Sequence, residues 1–134
     1  MREILFKAKR ISDGKWIEGS LIVYSDQTTG IVYDIGDIEG MRKEVVRPET
    51  VCQYTGLTDR NGKKIFEGDI VTTDLQRPYL IVEFRNACFM FNCNDGNKDY
   101  YDIFMPITDV AYEEYRYGEV IGNIHDGEGG QHGQ

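Results

Sequence analysis

Residues 55 to 71, TGLTDRNGKKIFEGDIV, constrain the fold more than any other stretch, because two turn signals sit inside one short span of strand-forming residues. Asp59 can accept the backbone hydrogens of its own turn, Asn61 tolerates positive φ, and Gly62 adopts it without steric cost, so Asp59 to Gly62 reads as a turn. Lys64, Ile65 and Phe66 make a brief rise before Gly68 and Asp69 turn the chain again, and Ile70 to Thr73 favour a strand. The expected object is a β-hairpin corner with strands leaving it in both directions.

The rest of the chain fits that corner. Fifteen Gly against three Pro, with nine Tyr and six Phe, suit short strands and tight turns better than a helical bundle. An all-β fold is therefore expected, and a chain of 134 residues buries enough surface, roughly two-thirds of what it exposes unfolded, to need no staples. The three cysteines, Cys52, Cys88 and Cys93, are an odd number without a CxxC pair, which points to reduced thiols and away from a disulfide frame or a zinc site.

Alternation places the strands. Ile4, Phe6 and Ala8 alternate with Leu5, Lys7 and Lys9, Ser12 to Gly14 turn the chain, and Trp16 to Tyr24 reads as the partner of a first hairpin. Ile31 to Ile35 is a third apolar run, and Asp34 to Arg47, with charges of both signs and two glycines, reads as a loop. Val51 to Tyr54 leads into the corner. Beyond it, Tyr79 to Arg85 and Cys88 to Asn92 read as an antiparallel pair, and Tyr100 to Met105 as a strand stopped by Pro106. Residues 108 to 118 allow one short helix or a loop, Glu119 to His125 reads as a last strand, and 127 to 134, without an apolar residue, as a disordered tail.

Charge narrows the partners. Residues 1 to 67 carry eleven basic and eleven acidic side chains, whereas residues 68 to 134 carry four and twelve, so the whole formal charge of −8 lies in the second half. A surface that neutralises phosphates needs clustered Lys and Arg, and this half would repel a nucleic acid. It would instead steer in a protein partner with a basic surface. The amino terminus is charged too early for a secretory signal, and no apolar run nears the roughly 20 residues of a membrane span, so a cytoplasmic location with no membrane partner is expected.

Reactive constellations are scarce. Only His125 and His132 could orient a thiol or hydroxyl nucleophile, and His132 lies in the apparent tail. Glu67 and Asp69 are the first carboxylate pair one would suspect of acid-base work, yet Gly68 between them marks a turn, and both side chains are expected to bond backbone amides or point to water. Calcium-loop spacing fails from Asp95, where Tyr100 and Pro106 stand at the Gly and Glu positions, and from Asp59, where Lys64 replaces the Gly. Neither GxGxxG nor GxxxxGK occurs, and no cofactor or metal is expected.

Residues 46 to 71, VRPETVCQYTGLTDRNGKKIFEGDIV, with VIGNIHDG at 120 to 127 and the opening ILFKAKRISDGKWIEG, resemble the YopX family of phage and prophage proteins. The matching motif positions include Gln53, Tyr54, Thr55, Gly56, Asp59, Asn61, Gly62, Glu67, Gly68, Asp69, Ile121, Gly122 and Asn123, all turn or strand-edge types. The resemblance implies an SH3-like barrel over residues 47 to 126, preceded by a hairpin and strand over 1 to 46 and followed by the tail, in a bacterial host's cytoplasm. It carries no established activity. Such barrels bind partners through aromatic-lined grooves, which singles out Tyr101, Tyr112, Tyr115 and Tyr117 as the candidate binding residues.

The expected function is a non-enzymatic binding or accessory protein. Rival readings, in order, are an acidic DNA mimic that inhibits a nucleic-acid-binding enzyme, a nucleic-acid-binding barrel, and an enzyme. Exposed strand edges would also allow a homo-oligomer.

Overall fold

A computed structural model describes residues 3–34, 36, 40–72, 80–85, 87–92, 104–106 and 118–127. These residues are almost wholly β, in antiparallel pairings throughout, as the composition requires. The one helical element among them is a 3₁₀ turn at Pro48–Thr50. The chain divides into two compact units, Met1–Tyr54 with His125–Gln134, and Thr55–Ile124.

In the first unit β1 (Phe6–Lys9) pairs with β2 (Trp16–Val23), β2 with β3 (Thr29–Asp34), and β3 with β4 (Met41–Val45). The start of β5 (Cys52–Thr58) lies against the other side of β1, through Phe6 opposite Gln53 and Lys7 opposite Cys52. Alternation sorts the faces as the sequence suggests. Ala8, Ile31 and Val46 are buried, with Phe6, Ile17, Leu21, Tyr33 and Val51 packed on them. The 3₁₀ turn supports this core, since Thr50 is fully buried and its Oγ1 accepts the Lys9 amide at 2.9 Å.

The loop expected over residues 34 to 47 is corrected, because β4 lies inside it. Met-Arg-Lys-Glu-Val has no apolar alternation to announce a strand; its pairing with β3, from Asp34 opposite Met41 to Gly30 opposite Val45, makes it one. It ends the sheet, where charged side chains are the usual protection of a strand edge. Its far end turns back to β1, with Arg10 bridging Val46 and the Ile11 amide donating to the Val45 carbonyl at 3.1 Å.

In the second unit the later part of β5 pairs with β6 (Lys64–Phe66). A second sheet runs in the order β10 (Phe104–Pro106), β9 (Cys88–Asn92), β8 (Leu80–Arg85), β7 (Asp69–Thr72), β11 (Glu119–Asn123). Its core comprises Ile65, Val71, Leu80, Val82, Phe91 and Val120, with Leu57 and Phe89 against it. The expected meander of β8 and β9 is present in register from Ile81 opposite Asn92 to Arg85 opposite Cys88. The fold class is thus mainly β, although no strand pair closes this sheet into a barrel among the described residues. Pro106 is the last residue of β10, which is itself last in the sheet order, where a missing N–H does the least harm; residues 100 to 103 of the expected strand lie outside the described residues. The possible helix at 108 to 118 is outside the described residues except for Gly118, and so is the tail from 128 onward.

Candidate functional site

The corner at residues 55 to 71 is held by two carboxylates that the sequence places there for turn chemistry. Asp59 Oδ1 accepts the Asn61 and Lys63 amides at 2.8 and 2.9 Å, the local turn lock expected of it. Its Oδ2 reaches a residue 61 positions away, accepting the Val120 amide of β11 at 2.9 Å. The Arg60 amide donates to the Gly118 carbonyl at 3.0 Å, and the Arg60 guanidinium meets Glu119 at 3.2 Å. Positive φ falls on Gly62 and is absent at Asn61.

Asp69 repeats the device one turn later and deeper. It is 1% exposed, accepts the Phe66 amide at 2.8 Å through Oδ2, and accepts Asn123 Nδ2 at 2.9 Å through Oδ1. Asn123 also donates to the Glu67 carbonyl at 3.3 Å, and the Ile124 amide to the Gly68 carbonyl at 2.9 Å. Gly68 has φ +85, and a Cβ there would stand 3.2 Å from Asn123 Nδ2. Both carboxylates therefore clamp the corner to β11. An oxygen that already holds a buried N–H is a poor general base, because taking a proton breaks the clamp.

Burial pushes the Asp59 carboxyl up, but the amides of Val120, Lys63 and Asn61, helped by the Lys63 charge, outweigh it and hold its pKa below the usual carboxylate range. A depressed pKa contributes stability that is present in full above the unfolded value, about 4, and is lost as pH falls through the folded value. The expected result is that the urea midpoint of the wild type falls on acidification below about pH 4, and that Asp59→Asn, less stable at neutral pH, shows a shallower fall over the same window. Equal slopes would mean that Asp59 does not carry this charge-dependent lock.

The other suspected groups separate. The Cys52 thiol is buried and donates to the Thr50 carbonyl at 3.3 Å, and the half-buried Cys88 thiol to the Phe89 carbonyl at 3.4 Å. Cys93 lies outside the described residues, as do all four candidate binding tyrosines, Tyr101, Tyr112, Tyr115 and Tyr117. Among the described residues no three His, Cys, Asp or Glu side chains gather to hold a metal ion. No helix among them is long and apolar enough to cross a membrane.

Two surface features were not read from the sequence. In the first unit the sheet face opposite the core carries Met41 (60% exposed), Val45 (45%) and Tyr24 (39%), next to half-buried Ile22 and Val32. Lysines interleave with the aromatic rings: Lys43 lies 4.7 Å from the Tyr24 ring centroid and Lys7 4.5 Å from that of Trp16, whose Nε1 donates to Asp126 at 3.0 Å. In the second unit the Asn92 side chain is buried and donates through Nδ2 to Glu83 Oε2 at 2.7 Å. An asparagine inside a strand is a weak sequence signal for such a pair, since Asn is depleted there.

The geometry agrees with what the chain is similar to. A family model described as YopX protein matches residues 5–128. A crystal structure of protein EF1440 from Enterococcus faecalis shares the fold at a TM-score of 0.56 and 20% identity, over 93% of this chain and 95% of that one. No curated protein matches. The matched span takes in the corner, both clamping aspartates and the strand they clamp, and the chain belongs to the YopX family.

Proposed function

We propose that this protein is a non-enzymatic binding protein that acts through a protein partner, as an accessory factor of a phage or prophage in the bacterial cytoplasm. The observation that carries the reading is the face of the first sheet turned away from its core, where Met41, Val45 and Tyr24 are exposed together. Scattered apolar residues on a surface need no explanation, but a contiguous group on one sheet face is the usual mark of a contact surface. Lys43 stands between Met41 and Val45 on the same face, against the Tyr24 ring.

The partner's sign follows from charge. With twelve acidic against four basic residues in 68 to 134, a partner with a basic surface is drawn in at long range, and salt screens that attraction over about 10 Å at 0.1 M. The test is a pull-down from host cells with the tagged protein at 50 mM and 500 mM salt, beside a Met41→Ser, Val45→Ser double variant. The expected outcome is a partner whose capture falls at high salt and fails with the folded double variant at either salt. Capture that survives the double variant would remove the sheet face from the account; an empty wild-type pull-down would remove the binding reading itself.

A further inference from the structure

On the second sheet, Glu83 of β8 and Asn92 of β9 are diagonal neighbours, since Ile81 stands opposite Asn92 and Glu83 opposite Met90. Both lie on the face that alternation turns away from Val82 and Phe91 of the core. The bond from Asn92 Nδ2 to Glu83 Oε2 fixes which end of the amide is which. Asn92 Oδ1 is thereby an acceptor, it is buried, and it has no hydrogen-bond partner among the described residues. Native proteins rarely leave such an atom unsatisfied, because its lost hydration has nothing to replace it. Beside it stands a carboxylate that is only half-buried, on a face shared with half-buried Ile81, Met90 and Cys88.

We infer that Glu83 and Asn92 form a receptor for a cationic side chain, the guanidinium or ammonium of an arginine or lysine presented by the basic partner. The carboxylate supplies the charge, and Asn92 Oδ1 supplies the second acceptor. A cation with several N–H donors satisfies both oxygens at once, and a charge-assisted bond to a carboxylate is stronger than a neutral one. Two oxygens are too few for a hard metal ion, which takes six or more. The inference rests on the reading of a basic protein partner and names the chemistry by which that partner is held.

The probes are three peptides, acetyl-Gly-Arg-Gly-amide, its lysine counterpart and its uncharged citrulline counterpart, titrated into the intact ¹⁵N-labelled protein. The Asn92 side-chain amide, identified by its absence in Asn92→Leu, is the reporter. The expected result is a saturable shift of that amide with the arginine or lysine peptide, weakened at least tenfold in Glu83→Gln and absent with citrulline. Glu83→Gln keeps an acceptor for Asn92 Nδ2, so the fold is retained in the variant that matters. An arginine response that exceeds the lysine one identifies a forked donor, and the reverse a point charge; both support the site. No saturation with either cation, or a response unchanged in Glu83→Gln, would overturn it. A wild-type pull-down that succeeds while these titrations fail would sink the receptor alone, whereas peptide binding with an empty pull-down would sink only the partner reading.

Discussion

Replacing Asp69 with alanine is expected to destabilise the protein by about 3–4 kcal/mol, although the side chain touches no solvent. Two donors lose their acceptor together: the Phe66 amide and Asn123 Nδ2, both in buried bonds. Hydrogen bonds to a charged group contribute roughly 1.5–3 kcal/mol each, and an orphaned buried donor bears its full desolvation penalty. The two losses share one side chain and one neighbourhood, so they add less than fully. Asp69→Asn should fall about midway, because its single carboxamide oxygen can keep one donor while its NH₂ confronts the other. Urea unfolding followed by far-ultraviolet circular dichroism reads both. An alanine variant within about 0.5 kcal/mol of wild type, the range of ordinary surface changes, would mean that the carboxylate does not hold the corner.

Gly19→Ala is expected to cost about 3 kcal/mol by a different cause. Gly19 lies inside β2 with a φ that any residue can adopt, so its conformational freedom is not what the fold uses. A Cβ there would sit 2.2 Å from the Val32 carbonyl oxygen and 2.9 Å from Ile31 Cγ2, closer than side-chain carbons approach other atoms. The oxygen is backbone and cannot swing aside. Relief requires β2 and β3 to part where Ser20 faces Val32 and Leu21 faces Ile31, or the strand to shift. Overpacking a tight site costs roughly 1–3 kcal/mol and occasionally more, and a backbone clash belongs at the upper end. Gly62→Ala makes the comparison, with φ +82 and open space within 4 Å, so only the left-handed backbone is penalised, by about 1–2 kcal/mol. Trp16, the one tryptophan of the chain and a residue of β2, reports the Gly19 effect by fluorescence. Equal destabilisation by the two variants would contradict the assigned causes.

What could be read from the sequence was what is local. The turn at Asp59 to Gly62 and the rise at Lys64 to Phe66 follow from residue types that act on their own backbone, and both are present. The strands of the β8 and β9 meander announced themselves by alternation and by β-branched and aromatic residues. Strand β4 did not, because a charged edge strand has no periodicity of its own and is defined by the neighbour it pairs with. The second oxygen of Asp59 was equally hidden, since nothing near position 59 indicates that Val120 will arrive there. An isolated glycine within an apolar run does warn of a close backbone approach, and Gly19 was the one such warning in β2. The acceptor at Asn92 was obscured by its place at the join between a strand and the polar run NCNDGNKD, where it reads as part of the loop.

The aspartates of the corner clamp β11 and β6, and amide hydrogen exchange tests this most directly. In the wild type the Phe66 and Val120 amides should exchange slowly at neutral pH, each protected by its carboxylate. Asp59→Asn should accelerate Val120 while sparing Phe66, and Asp69→Ala, which leaves the Phe66 amide no acceptor, should do the opposite. Fast exchange at both sites in the wild type, or protection that neither variant alters, would show that these carboxylates serve something other than the fold.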